Sequence, residues 1–320
     1  MWPVRSVTAG FLKTAPLYSG LAHLFVAFLL LSANGCAWLD IQQRTIIYRP
    51  TPGSPASFLG LRAGDERYFL AISSTVDHHT PQRVEIWWLP HTDKTAPTLL
   101  YLHGTFRNLF ENLEKIEALR EAGFAVLAVD YRGWGLSTPI TPSEQTLIQD
   151  AELAWRELQR REPRATHRVI YGHSMGSGVA VDLASRLHAN TDYGALILES
   201  AFTSFADIAR ESGFFARLAS QFNHERFDSL HKIAHVDAPL LMLHGSLDTT
   251  IPVALGKQLF EAAHPPKQWF TLEGGAHSNL QDVGHAQYQA ILKNFIKDHL
   301  VVQTAPLSDV ARPSPQRPTS

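Results

Sequence analysis

Hydrophobic positions along this chain alternate between two periods. Short, nearly continuous apolar runs occupy residues 98–102, 125–129, 168–171, 195–198, 240–243 and 268–272. Their length and β-branched content predict buried strands. Between several of them lie longer stretches with apolar residues three and four apart, at 111–121, 143–161 and 175–187. On the second of these, Leu147, Ala151, Ala154, Trp155 and Leu158 share one face, as an amphipathic helix requires. Repeated strand–helix–strand units predict an α/β fold with a mostly parallel sheet and helices on both faces. Ahead of them, β-rich runs at 45–48, 68–72 and 84–89 predict further strands. In the last run Val84, Ile86 and Trp88 alternate with Glu85 and Trp87, the pattern of an antiparallel strand.

Composition narrows the function classes. The chain has 320 residues, 45% hydrophobic, with a formal charge of −2, so one large core can form. No basic excess is present to bind nucleic acid. The one cysteine, Cys36, excludes an intrachain disulfide and a cysteine metal cluster. Sixteen histidines are scattered without metal-ligand spacing, and no cofactor is implied.

The two ends differ from the middle. Residues 1–36 have the order of a targeting or anchoring segment: Arg5 and Lys13, then a nearly uncharged run over 17–33, then small residues before Cys36. The stretch Leu31-Ser-Ala-Asn-Gly-Cys36 resembles the lipobox of bacterial lipoproteins, with Ala33 where that box usually has leucine. The resemblance implies lipidation at Cys36 and attachment to the cell envelope, and Ala37 after the cysteine resembles the outer-membrane sorting pattern. An uncleaved anchor or a buried cysteine are the other readings. Residues 301–320, rich in Pro, Ser and Thr, are expected to be a disordered tail, which leaves 37–300 as one catalytic-size domain.

A parallel sheet binds ligands at the carboxyl ends of its strands, so chemistry is expected in the loops that follow them. After 168–171 comes Gly172-His-Ser-Met-Gly176, a strand–turn–helix passage containing Gly-x-Ser-x-Gly. Such a turn forces the serine into a strained backbone and exposes its hydroxyl, while glycines keep a Cβ from striking neighbouring elements. The pattern alone arises by chance in roughly one chain in ten of this length. Its weight comes from the other strand-end loops: His103-Gly104-Thr105, Asp130-Tyr-Arg-Gly-Trp-Gly-Leu-Ser137, Glu199-Ser200, His244-Gly-Ser-Leu-Asp248 and Gly275-Ala-His277.

In order and spacing these segments resemble the α/β-hydrolase superfamily over about residues 45–300. Leu198-Glu-Ser-Ala-Phe-Thr-Ser204 further resembles its small-lid serine hydrolases related to the α/β-hydrolase-domain depalmitoylases. The resemblance implies Ser174 as nucleophile, His277 as base and Asp248 as the acid behind it. The backbone N–H groups of Met175 and Thr105 would form the oxyanion hole. Asp237 and Asp228 precede their strand and are weaker candidates for the acid. Glu199 is an alternative acid after an earlier strand, and His285 a rival base. His103, His173 and His244 are expected to be structural, bonded to backbone carbonyls. Asp130 and Arg132 are expected to hold their loop.

Residues 203–238 form an insertion carrying Phe205, Phe214, Phe215, Leu218, Phe222 and Phe227 with interleaved arginines. They read either as a helix covering the sheet or as a small lid offering an apolar acyl pocket. The expected activity is hydrolysis of small-molecule esters or thioesters, or of acylated substrates, at a membrane. A peptidase or amidase on the same residues, and a catalytically idle binding module, are the alternatives.

Overall fold

The computed structural model describes residues 38–72, 81–211 and 225–300. The candidate anchor with Cys36, the C-terminal tail and lid residues 212–224 lie outside them. Eight strands form one sheet: β1 (Glu66–Ile72), β2 (Gln82–Leu89), β3 (Thr98–Leu102), β4 (Ala125–Asp130), β5 (Arg168–His173), β6 (Ala195–Glu199), β7 (Leu240–Gly245) and β8 (Lys267–Leu272). Their spatial order is β1-β2-β4-β3-β5-β6-β7-β8. β2 pairs antiparallel with both β1 and β4, and every pair from β4 to β8 is parallel.

Strand periodicity decides what faces each side. Leu100 and Leu102 of β3 join one apolar layer with Leu147, Ala151 and Trp155 of α3 (Glu144–Arg161) and Val179 of α4 (Met175–Ala184). Leu99 and Tyr101 join the opposite layer with Ile116 and Leu119 of α2 (Leu113–Glu121) and with Leu292 and Phe295 of the last helix, His285–His299. Every residue of β3 to β7 is buried, which is why these runs carry no polar alternation. α3 starts where Ser143 caps it: the serine hydroxyl accepts from the Thr146 N–H, and the Thr146 hydroxyl accepts from the Ser143 N–H.

One early element departs from the pattern. Residues 45–48, expected as a strand, end a helix, α1, spanning 38–48. Thr45, Ile46 and Ile47 are strand-favouring types, but that preference spans only about 1 kcal/mol and depends on context, and the burial of Tyr48 at this helix's end outweighs it.

The order of strands creates the crevice. β3 lies between β4 and β5, so the chain leaves β3 towards one side and returns on the other. Loops after β3 and β5 therefore diverge at the carboxyl edge, leaving space between them. His103-Gly104-Thr105 follows β3 and Ser174 follows β5.

Candidate active site

Ser174 sits between the last residue of β5 and the first of α4, with φ 54° and ψ −125°. This left-handed backbone is costly for a residue with a Cβ and persists because the sheet and helix fix both ends. The tightness of the turn explains its glycines. A Cβ on Gly172 would lie 2.4 Å from the Gly176 carbonyl oxygen, and one on Gly176 would lie 2.1 Å from that of Leu102.

Three side chains from three loops meet there. The Ser174 hydroxyl donates to His277 Nε2 at 2.8 Å, and His277 Nδ1–H donates to Asp248 Oδ2 at 2.8 Å. All three residues are buried. Asp248 Oδ1 accepts from the N–H groups of Thr250 (2.9 Å) and Ile251 (2.8 Å), which fixes the carboxylate's rotation. The His244 Nε2–H is shared, 2.9 Å from the Ile251 carbonyl and 3.4 Å from Asp248 Oδ2. Burial alone would raise the Asp248 pKa; the donors from His244, His277 and Ile251 outweigh it and hold the carboxyl well below the usual range.

The histidine loop is clamped from two sides. The carbonyl of His277 accepts from His173 Nε2–H at 2.9 Å and from the Ser200 hydroxyl at 3.3 Å. Burial and the nearby Lys115 ammonium push His173 down to about 3, so its ring stays neutral and serves as a donor to that carbonyl. The Asn279 side chain accepts from the Ala276 N–H at 2.7 Å. The acid and histidine loops are joined by the Leu247 N–H, which donates to the Gly275 carbonyl at 2.8 Å.

A small cleft beside Ser174 is lined by Gly104, Thr105, Phe106, His173, His277 and Ser278, among others. Thr105 thus stands in its wall. The Met175 N–H opens the first turn of α4, where amides have no partner within the helix. Phe106 follows with φ 49°, a strained bend that turns the chain after β3 around the cleft. A serine hydroxyl, an imidazole bonded to it and the Thr105 segment thus share one pocket, with the Met175 amide next to the serine in sequence.

The alternative residues lie elsewhere. Glu199 is fully buried, where its carboxylate takes the Lys115 ammonium and the hydroxyls of Tyr171 (2.6 Å) and Tyr288 (3.0 Å). Lys115 also donates to Gln281 at 2.7 Å, so this cluster braces the helix that follows the histidine loop. Sequence reading missed it, because ion pairs 84 residues apart leave no local pattern. Asp228 caps the short helix Ser229–Lys232, Asp237 accepts from the Ala189 N–H, and His285 is near Glu121 at the surface. His103, like His173 and His244, lies within hydrogen-bond distance of a backbone carbonyl, here that of Gly104 at 2.7 Å. Asp130 accepts from the Leu109 N–H and Arg132 pairs with Asp150, both holding loops beside the site.

The described part of the insertion does not line the cleft. Phe205, in helix α5 (Phe205–Glu211), packs on Phe202, Phe227 and Tyr48, and Phe227 is buried. These rings cover the core, which matches the reading of a helix laid over the sheet. Phe214, Phe215, Leu218 and Phe222 fall outside the described residues.

Comparison with known proteins gives concordant relatives. A family model described as serine aminopeptidase, S33, matches residues 93–230. The alpha/beta hydrolase domain-containing protein 17B of Xenopus laevis is 32% identical over 64% of this chain and 67% of its own length. The lysophosphatidylserine lipase ABHD12 of Danio rerio is 34% identical over 57% of this chain, which spans about half of that protein. Among solved structures, an esterase of Pyrococcus furiosus superposes with a TM-score of 0.62 at 18% identity, over 78% of this chain and 96% of that one.

Proposed function

The chain belongs to the α/β-hydrolase superfamily, and on that premise we propose that it is a serine hydrolase of carboxylic esters or thioesters. The observation that carries this reading is the unbroken hydrogen-bond chain from Ser174 through His277 to Asp248.

In the proposed reaction His277 Nε2 takes the Ser174 proton as Oγ attacks the acyl carbon. The oxyanion is held by the N–H groups of Thr105 and Met175, each of which contributes about 10²–10³ in rate. His277 passes its proton to the departing alcohol or thiol, leaving an acyl-serine. Water then attacks with the same base, and the acid and free Ser174 are released. Asp248, ionised throughout, keeps the imidazole oriented and offsets its positive charge. No step requires a metal or cofactor.

Small-molecule and acyl-lipid substrates are supported by a relative named as a lysophospholipid lipase. The aminopeptidase description of the matching family model supports an amide substrate as a second reading. p-Nitrophenyl esters of rising chain length, run beside matched p-nitroanilides, separate the two. Ester turnover that is lost in Ser174→Ala is the expected result. Anilide turnover alone would replace the esterase reading, and no turnover of either would leave the fold as a binding module.

Attachment to the cell envelope through a lipidated Cys36 is part of the proposal, supported by the sequence of residues 17–36. Among the described residues no helix is long and apolar enough to cross a membrane.

A further inference from the structure

Helix α1 is turned inside out for a helix in water. Trp38, Leu39, Ile41 and Ile46 point outward and are 42 to 69% exposed. The other fully outward positions, Gln42 and Thr45, are uncharged. The helix's only charged residues, Asp40 and Arg44, pair with each other at 2.6 Å and stand at four-residue spacing with buried Tyr48, towards the protein body. An ordinary surface helix has the opposite arrangement.

The C-terminal end of α1 is joined to the edge of the sheet that carries the cleft. Just beyond α1, the Gly53 N–H donates to the Gly135 carbonyl at 2.7 Å and the Gly135 N–H to the Thr51 carbonyl at 3.0 Å. Asn108 adds bonds to both carbonyls, of Thr51 and Gly53, at 3.2 Å. The helix exit is thereby sewn to the loops after β3 and β4. At the helix end Tyr48 bonds Glu225 and packs on Phe205 of the insertion. Other exposed large apolar residues occur on that edge: Phe106 after β3, Leu136 after β4, Leu247 after β7 and Val283 beyond β8. All four lie on connections that leave carboxyl ends of strands, as Ser174 does.

We propose that this face docks on a lipid bilayer, with α1 lying in the interface and the cleft opening towards membrane-resident acyl substrates. An uncharged outer face is what a helix needs to enter the boundary between headgroups and acyl chains. The occupant follows from the sequence leading into it: the proposed lipidation site, Cys36, immediately precedes the helix. A chain tethered through the lipidated Cys36 proposed above, two positions before Trp38, brings α1 to the bilayer surface first. Docking stands on this surface alone; its use in turnover rests on the hydrolase reading above.

The test uses the full chain in phosphatidylethanolamine–phosphatidylglycerol vesicles containing lipids brominated along the acyl chain. Subtracting the fluorescence of Trp38→Phe isolates Trp38. Quenching of that component by bromine, with weak quenching by aqueous acrylamide, is the expected result. Acrylamide quenching without bromine quenching overturns docking. Protection from both quenchers also overturns it, since residues 1–37 or a second copy would then cover the helix. A second arm compares Leu39→Glu/Ile46→Glu with the unaltered protein. Hydrolysis of a long-chain ester in vesicles should fall at least about ten-fold, while a water-soluble short ester changes less than about two-fold, because two partly buried aliphatic contacts are lost only at the interface. Equal rates on vesicles, or equal losses on both substrates, would contradict it. If the unaltered protein hydrolyses neither ester, the hydrolase reading fails while bromine quenching still judges the docking.

Discussion

Asp248 shows how single contacts set the chemistry. Its carboxylate accepts from His277, from two backbone amides and partly from His244, and these donors hold its pKa below the usual range. A depressed carboxyl contributes stability that is present above its ordinary value of about 3.9 and lost as pH falls through its own lower value. Over a neutral to mildly acidic range it therefore stays ionised. The acid limb of kcat/KM should follow a single protonation, with slope one and no second break above about pH 4. A slope of two in a pH–rate series would show that the acid titrates with the base. Asp248→Asn should lower kcat about 10³–10⁴-fold with KM little changed, since the imidazole loses its orienting acceptor. Rate measurements on a soluble ester check this, and a loss below ten-fold would point to another acid.

The same scale shows what could be read from the sequence. Ser174, Asp248 and His277 were legible because each follows an apolar run by three to five residues, and strand ends are where a parallel sheet keeps its ligand sites. That His173 bonds a backbone carbonyl was expected, but that the carbonyl is His277's was not legible, because a partner 104 residues away leaves no trace in residue type. Glu199 stood as an alternative acid for a related reason: its place at a strand end suits an acid, and only its buried partners show that it braces the fold.

Among the elements, the strand–turn–helix at Ser174 tolerates the least change. A Cβ on Gly176 would stand 2.1 Å from the Leu102 carbonyl, so β3 and α4 would have to separate. Gly176→Ala should cost about 2 kcal/mol or more, read as a lower denaturation midpoint, and should also slow any modification of Ser174. Unchanged stability would mean that the turn is looser than described. The Lys115–Glu199 pair joins α2, β6 and the helix Leu280–Val283 region through Gln281. Burial alone would raise the Glu199 pKa; the Lys115 charge outweighs it only together with the other lowering influences, among them the hydrogen bonds from Lys115 and Tyr171. Lys115→Met leaves that carboxylate buried without its cation and should cost about 3–5 kcal/mol in urea unfolding. Adding Glu199→Gln should recover part of the loss, because the uncompensated charge is then gone. A double variant as unstable as the sum of both singles would show that the pair does not act as a unit.

Helices and strands of the core were legible because their periods are long and clean. α1 was not: three β-branched or apolar residues at 45–47 look like a strand when the packing of Tyr48 and the inward turn of Asp40 and Arg44 are unseen. The insertion was legible as an apolar segment but not in its direction, since phenylalanines that cover a core and phenylalanines that line a pocket have the same spacing.

At the scale of the whole molecule, one edge of the sheet carries the cleft, the histidine clamp, the exit of α1 and the exposed apolar side chains of Phe106, Leu136, Leu247 and Val283. The opposite edge is the base on which the loops stand. Such a division suits an enzyme that works against a surface, with the lipidated Cys36 of the proposal supplying a tether. Cys36→Ser should shift the protein from the membrane fraction towards the soluble fraction, and intact mass of the unaltered protein should show an acylated N-terminus at Cys36. Retention of Cys36→Ser on membranes together with an unmodified cysteine would replace the tether with the uncleaved-anchor reading.

In the proposed reaction the reactivity of Ser174 depends on His277. The most direct test of that dependence is the rate at which a fluorophosphonate modifies the protein, with the adduct located by peptide mapping. One adduct on Ser174 is expected, absent in Ser174→Ala and formed at least about 10³-fold more slowly in His277→Ala. An adduct on another residue, or labelling of Ser174 at an undiminished rate without the histidine, would contradict it.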